Sequence, residues 1–224
     1  FMITSRAICA TTYFGSEADK LKEGFGCKKV IELPKLPYEG TRHIDLFAKF
    51  LSDDVVLLSR YQPDQFQLAV ETIETDCQVD WVCTGDHDSK KPFVLEEGVF
   101  SLEDISSYAG KRWPDFSFST AIKTDEFSDH SKLVEALFQT AGFRTVWVDA
   151  PPPIFALLKT NWTNSDGDVV SSDIKLQAVA MPNYVNSLLL NGKAFIPRYL
   201  QLGSHELNEN AAKIYREQGF VPIS

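Results

Sequence analysis

Polar and apolar residues along this chain repeat as one module: a helix with a polar start, a glycine near its end, and a short apolar strand that runs into proline. The helices of the three copies are predicted at residues 16–25, 129–143 and 204–220. Apolar residues recur at the spacing of one helical face within the second and third of these helices. Capping side chains and closing glycines are typical of helix ends. The predicted pairs of a capping residue and a closing glycine are Ser16 with Gly24, Asp129 with Gly142, and Ser204 with Gly219.

Two of the helices are preceded by a predicted antiparallel hairpin. The first hairpin covers residues 43–61 with a turn at residues 52–54, and the second covers residues 184–199 with a turn at Asn191-Gly192. Asn-Gly favours a two-residue turn because both positions tolerate positive φ. Both hairpins end in Arg-Tyr. Residues 2–6 match only the second strand of such a hairpin, so its first strand is expected to be missing.

The repeat predicts an α/β fold built from ββαβ modules within a single domain at residues 1–224. The alternative is an ordinary α/β sheet in which similar hairpins recur by chance. Residues 62–128 do not fit the repeat, and we predict an insertion there that contains a helix at residues 64–76. The predicted modules cover residues 1–40, 41–151 with this insertion, and 178–224.

Composition narrows the classes of function. The chain has 224 residues, of which 44% are hydrophobic, enough to bury a sizeable core. A net charge of -9 argues against nucleic-acid binding and fits either a cationic small ligand or solubility alone. No apolar run reaches the roughly 18 residues of a membrane helix. We therefore expect no nucleic-acid or membrane partner, and the compartment, cytoplasmic or secreted, stays open.

The cysteines give little support for a metal site. Cys9, Cys27, Cys77 and Cys83 lack close metal-ligand spacing, and four cysteines are too few for a disulfide scaffold in a chain of this length. We expect them to be core residues or to form one bridge at most.

A candidate site lies at the start of the first predicted hairpin. His43 and Asp45 are alternate residues of a predicted strand, so both side chains should project to one face. A carboxylate beside an imidazole can hold a cationic substrate and move protons, although a surface or hydrogen-bonded core pair is the alternative. Tyr184 and Asn186 take the same positions in the other hairpin, which suggests a shared cavity. Alternatively, Asn186 only bonds a neighbouring strand.

Several motifs resemble the agmatine and peptidylarginine deiminase family in their order along the chain. They are Gly40-Thr41-Arg42-His43-Ile44-Asp45, Phe47-Ala48-Lys49-Phe50-Leu51, Tyr184-Val185-Asn186, Asn191-Gly192 and Ile196-Pro197. The resemblance covers most of the chain except the insertion. It implies that the chain is part of a pseudo-five-fold α/β propeller around a buried site.

The resemblance also implies a reaction. In this family a cysteine attacks the guanidinium carbon, a histidine moves protons and acidic residues hold the cation, and ammonia and a ureido product are released. His43 matches the general acid/base and Asp45 an acidic residue that grips the guanidinium. Arg42 stands where the family has glycine, and Arg42, Tyr184 and Asn186 are expected to contact the substrate. No metal or organic cofactor is implied, and the partner is a small-molecule or peptide guanidinium compound.

The family's nucleophile is not found. None of the four cysteines stands in the family's Gly-Gly-x-x-His-Cys type of motif, so the chain is expected to be an incomplete, inactive portion of a deiminase. Other segments of the same enzyme or a second copy would complete it. The alternatives are a shortened relative that acts as a non-catalytic binding module, and a relative of the amidinotransferases. The substrate, whether agmatine, free arginine or peptidylarginine, stays open, and with it a role in putrescine biosynthesis or in citrulline formation.

Overall fold

A computed structural model describes residues 2–37, 42–61, 65–78, 83–84, 101–112, 118–119, 124–163, 169–200 and 204–223. The chain forms two compact units. The first combines Phe1–Pro63, Thr124–Pro151 and Pro182–Ser224, and the second combines Asp64–Lys123 with Pro152–Met181. Among the described residues, no helix combines the length and the apolar character needed to cross a bilayer.

The described residues form both helices and strands. The helices are α1 (Ser16–Phe25), α2 (Leu102–Arg112), α3 (Thr124–Thr140) and α4 (Ser204–Glu217). The strands are β1 (Met2–Ile3), β2 (Ile8–Thr11), β3 (Lys29–Glu32), β4 (Ala48–Phe50), β5 (Val55–Arg60), β6 (Gln67–Gln78), β7 (Cys83–Thr84), β8 (Phe118–Ser119), β9 (Arg144–Asp149), β10 (Ile154–Thr163), β11 (Val169–Ala180), β12 (Leu188–Leu190), β13 (Lys193–Phe195) and β14 (Val221–Ile223).

The first unit contains three small sheets of the same design, with strand orders β1-β2-β3, β4-β5-β9 and β12-β13-β14. In each sheet the first two strands pair antiparallel and the third pairs parallel with the middle strand. A helix precedes each third strand, as a parallel connection requires. The mixed α/β fold is therefore confirmed, and each sheet has the strand directions of a ββαβ module.

The repeated Arg-Tyr endings of the two hairpins have a common structural role. The Tyr61 hydroxyl donates to the carbonyl oxygen of Leu46 at 3.1 Å, and the Tyr199 hydroxyl donates to that of Asn183 at 2.8 Å. In each case the acceptor precedes the first strand of the hairpin. Tyr61 is buried and Tyr199 is half-buried, and a phenol hydroxyl removed from water needs such a partner. Each tyrosine thus ties the end of its hairpin to the beginning.

The turn of the third module has the predicted geometry. Asn191 has φ 51° and Gly192 has φ 74°, both in the left-handed region. Leu190 pairs with Lys193 across this turn, which makes it a two-residue hairpin connection. The local sequence signal is confirmed here.

The first hairpin differs from the prediction, because both of its strands are present. Met2–Ile3 pairs antiparallel with Ile8–Thr11. The Thr4 amide donates to the carbonyl oxygen of Ile8 at 2.9 Å, and Ala7 takes φ 59° to close the turn. The expectation of a missing first strand is therefore wrong. It took residues 2–6 as the second strand of the hairpin, whereas Met2–Ile3 is the first strand and Ile8–Thr11 is the second.

The predicted strands before both turns are shorter in the structure. The strand expected from His43 begins at Ala48, after a 3-10 turn at Ile44–Leu46, and the strand expected from Tyr184 begins at Leu188. The Phe47 amide donates to the carbonyl oxygen of Ile44 at 2.9 Å. These two backbone groups are therefore paired within the turn and not with a neighbouring strand.

Two helix ends also differ. Helix α3 begins at Thr124 rather than at Asp129, and Asp125 and Glu126 lie in its first turn, where the helix dipole favours acidic side chains. Helix α1 is closed by Gly26 at φ 66° rather than by Gly24, and the Gly26 amide donates to the carbonyl oxygen of Lys22.

The second unit contains a five-stranded sheet with the order β7-β6-β10-β11-β8. The predicted helix at residues 64–76 is wrong, because Gln67–Gln78 is strand β6, which pairs in parallel with β10. This segment contains Val70, Thr72 and Ile73, β-branched residues that favour strands. Residues 152–181 belong to this unit as well as residues 64–123.

One disulfide lies among the described side chains. Cys9 on β2 is bonded to Cys27, which follows α1 by two residues, and both are buried. The prediction of one bridge at most holds for this part of the chain. The side chains of Cys77 and Cys83 lie outside it.

Candidate functional site

An open pocket of about 660 Å³ lies in the first unit, between the first module and the start of the second. Strand β1, the loop after β2 and the segment that leads into β4 contribute its walls. Its lining residues are Met2, Ile3, Tyr13, Arg42, His43, Ile44, Asp45, Lys49 and Phe50. The pocket thus contains Arg42, His43 and Asp45 of the predicted site residues. The Gly40-Thr41 part of their motif lies outside the described residues.

His43 and Asp45 lie side by side in this pocket. His43 Nδ1 is 3.6 Å from Asp45 Oδ1, and the side chains are 62% and 44% exposed. The predicted strand does not produce this contact. His43 is extended, with φ -76° and ψ 119°, and the 3-10 turn Ile44–Leu46 then brings Asp45 back beside it. An accessible imidazole and an accessible carboxylate can therefore reach the same small ligand.

Arg42 has a backbone conformation that favours glycine. Its φ is 59°, and a side chain in this left-handed region costs about 1 kcal/mol. The Thr12 hydroxyl donates to the Arg42 carbonyl oxygen at 2.7 Å, and the guanidinium carbon lies 5.9 Å from the centre of the Tyr13 ring. The loop after β2 therefore holds both the backbone and the side chain of Arg42.

Lys49 is a pocket residue that the sequence interpretation missed. It lies on β4, and its ammonium group donates to the carbonyl oxygen of Ser187. Burial lowers the Lys49 pKa, while the negative charge of Asp45 partly opposes this shift. The sequence feature that could have pointed to Lys49 is that it is the single charged residue in the apolar run Phe47–Leu51. In the structure the other two residues of β4 are buried or half-buried.

Tyr184 and Asn186 do not line this pocket. Tyr184 is fully buried in the hydrophobic core, its hydroxyl donates to Asn208 Oδ1 at 2.9 Å, and burial raises its pKa. Asn186 is exposed, and its backbone amide donates to Asn183 Oδ1 at 2.8 Å. The two side chains would share a face only on a strand, and the strand begins later, at Leu188.

The described residues contain no group of three or more His, Cys, Asp or Glu side chains that could hold a metal ion. The ionisable side chains among the described lining residues, apart from Tyr13, are those of Arg42, His43, Asp45 and Lys49.

Comparisons with known proteins give matches among solved structures only. No model of a known protein family matches the chain. No curated protein matches it.

Three of the similar structures illustrate the result. A cysteine-to-serine variant of C. jejuni agmatine deiminase with substrate bound is 13% identical, with a TM-score of 0.41, and the match covers 93% of this chain and 40% of that one. A protein named as a putative peptidyl-arginine deiminase is 14% identical, with a TM-score of 0.40 and coverages of 94% and 42%. A Porphyromonas gingivalis protein named as a putative arginine deiminase is 14% identical, with a TM-score of 0.43 and coverages of 97% and 47%.

This chain spans less than half the length of each of these structures. By name, these three solved structures are an agmatine deiminase, a putative peptidyl-arginine deiminase and a putative arginine deiminase, and the sequence motifs resemble the agmatine and peptidylarginine deiminase family.

Proposed function

We propose that this chain forms the guanidinium-holding part of a deiminase, an enzyme that hydrolyses a guanidino compound to a ureido product and ammonia. The observation that carries the proposal is the contact of 3.6 Å between His43 and Asp45 in an open pocket. Both residues stand in the motif that resembles the deiminase family, and both side chains remain accessible.

In the proposed reaction Asp45 binds the positive guanidinium group of the substrate. A charged carboxylate accepts paired N–H donors from a planar guanidinium in a two-pronged contact. His43, beside it, transfers protons to the leaving ammonia and from the attacking water. The finer architecture, a five-module propeller around this site, is part of the same proposal.

The nucleophile would come from outside the described residues. The two cysteines whose side chains are described, Cys9 and Cys27, are joined in a disulfide and supply no thiolate. Cys77 and Cys83 do not stand in the family's Gly-Gly-x-x-His-Cys type of motif either. We therefore expect the isolated chain to bind a guanidinium ligand without hydrolysing it. The same observation favours the second candidate, a binding module that has the scaffold without the chemistry.

The proposal is tested by titrating the isolated chain with agmatine and with L-arginine while the His43 imidazole signals are followed by NMR. The chain has four histidines, so these signals can be assigned by single substitutions. Asp45→Asn should weaken binding about tenfold, the loss expected for one charged hydrogen-bonding partner. Asp129→Asn is the matched control, because Asp129 is an exposed carboxylate on α3 that pairs with Lys132 outside the pocket.

Equal affinities for the Asp45→Asn and Asp129→Asn proteins would contradict the proposal. Ammonia release distinguishes the two candidate functions. Release from the chain mixed with the remaining segments of the enzyme supports the deiminase, whereas binding of guanidinium without ammonia release in that mixture supports the binding module.

A further inference from the structure

Among the described residues that line the candidate pocket, cationic side chains outnumber carboxylates. Among its described lining residues, Asp45 is the one carboxylate, whereas Arg42 and Lys49 are both cationic. A ligand whose only charge is a guanidinium is attracted by one of these side chains and repelled by two. A ligand that also carries an anion gains from the same cationic groups.

Arg42 is held in place for such a contact. Its carbonyl oxygen accepts the Thr12 hydroxyl, and its guanidinium lies against the Tyr13 ring. Within the described part of the chain, the guanidinium contacts no carboxylate. The contact with the ring restricts the Arg42 side chain, which lowers the entropy lost on binding a carboxylate, and the planar set of guanidinium donors suits a carboxylate.

Lys49 supplies a second donor group. Its ammonium uses one N–H on the Ser187 carbonyl oxygen, and an ammonium has three donors. The side chain is half-buried, so its charge is screened less by salt than that of a fully exposed lysine. Lys49 is also close enough to Asp45 for the two charges to interact.

We propose that Arg42 and Lys49 form a carboxylate-binding subsite beside Asp45. The pocket then takes a guanidino compound that carries a carboxylate, an amino acid of the arginine type, in preference to the corresponding decarboxylated amine. This preference for one substrate over the other rests on the proposed function, because the proposed function places the substrate guanidinium on Asp45. The carboxylate subsite itself rests on Arg42 and Lys49 alone.

The test compares three ligands by calorimetry on the intact chain at low salt. L-arginine carries both charged groups, agmatine lacks the carboxylate, and L-citrulline lacks the guanidinium charge. L-arginine should bind about tenfold more tightly than agmatine, and Arg42→Ala should remove most of that difference while agmatine binding is retained. Arg216→Ala is the matched control, because Arg216 is an exposed arginine on α4 outside this pocket. A Lys49→Met chain with a native-like unfolding temperature should show the same loss as Arg42→Ala.

The outcomes separate the two proposals. Agmatine binding as tightly as L-arginine, or an Arg42→Ala chain that weakens both equally, overturns the carboxylate subsite and leaves the guanidinium site standing. L-citrulline binding as tightly as L-arginine, with a loss in Arg42→Ala, supports the subsite and overturns the guanidinium assignment. Absence of binding by all three ligands overturns both.

Discussion

The Thr12 hydroxyl donates a 2.7 Å hydrogen bond to the carbonyl oxygen of Arg42, and so links the loop after β2 to the first residue of the pocket segment. Thr12 is 1% exposed, so its hydroxyl is held inside the folded chain and makes this bond rather than one to solvent. The position of Arg42, and with it that of His43, therefore depends on a hydroxyl from another module.

Removing that hydroxyl should lower stability and disturb the pocket. Thr12→Val keeps the shape of the side chain but leaves the Arg42 carbonyl oxygen unpaired, at a cost of about 1 kcal/mol in the free energy of unfolding. Urea unfolding measures this change. Thr12→Ser keeps the hydroxyl and should lose less, so equal losses in the two variants would show that the methyl group matters rather than the hydrogen bond.

The backbone of Arg42 makes a different prediction. At φ 59°, Arg42→Gly should be about 1 kcal/mol more stable than Arg42→Ala, because glycine takes this conformation without steric strain. Both variants lack the guanidinium, so its contact with Tyr13 cancels in the comparison. The difference in unfolding free energy between the two variants is the measurement, and an Arg42→Ala chain of equal or greater stability would contradict the observed backbone conformation.

The Cys9–Cys27 disulfide should contribute strongly to stability. The bonded residues are 18 positions apart, and closing a loop of this size in the unfolded chain is worth about 3 kcal/mol. Thermal unfolding with and without a reducing agent tests this. The double variant Cys9→Ala/Cys27→Ala should unfold at the same lower temperature with and without the reducing agent. If reduction lowers the unfolding temperature of this variant as well, the effect of the reducing agent does not come from the Cys9–Cys27 bond.

His130 predicts a dependence of stability on pH. It is buried against Phe47, and burial lowers its pKa to about 4 although its Nε2 lies 3.2 Å from the Pro34 carbonyl oxygen. Between this pKa and the unfolded value of about 6.5, the unfolded chain binds more protons, so stability falls as the pH falls through that window. The loss attributable to His130 should total about 3 kcal/mol below the window.

Denaturant unfolding measured at several pH values checks this prediction. His130→Phe should flatten the dependence in that window, because the variant has no titrating group at this position. His205→Asn is the control, since His205 is exposed on α4. If the control flattens the curve as much as His130→Phe does, the titrating group has been wrongly identified.

Much of the module pattern could be predicted from the sequence because its signals are local. Asn191 and Gly192 tolerate positive φ wherever they stand, and the Asn-Gly pair therefore predicts its own turn. The segment at residues 16–32 likewise forms the predicted helix and following strand, and helix α4 begins at the predicted Ser204. Each of these features depends on residues within one turn or one short strand.

Which side chains line the pocket is determined only by the tertiary structure. Residues 43–47 have the alternation of a strand, yet Ile44–Leu46 forms a 3-10 turn. Tyr184 lies in the hydrophobic core, where its hydroxyl donates to Asn208. Strand β6 forms because β10, which lies far along the chain, offers it backbone partners. Local sequence cannot reveal such partners, because burial and strand pairing are satisfied by distant residues whose positions depend on the whole fold. The sequence thus determined which residue types stand at the candidate site, and the tertiary contacts of Thr12, Tyr13 and Ser187 decided which of them share a pocket.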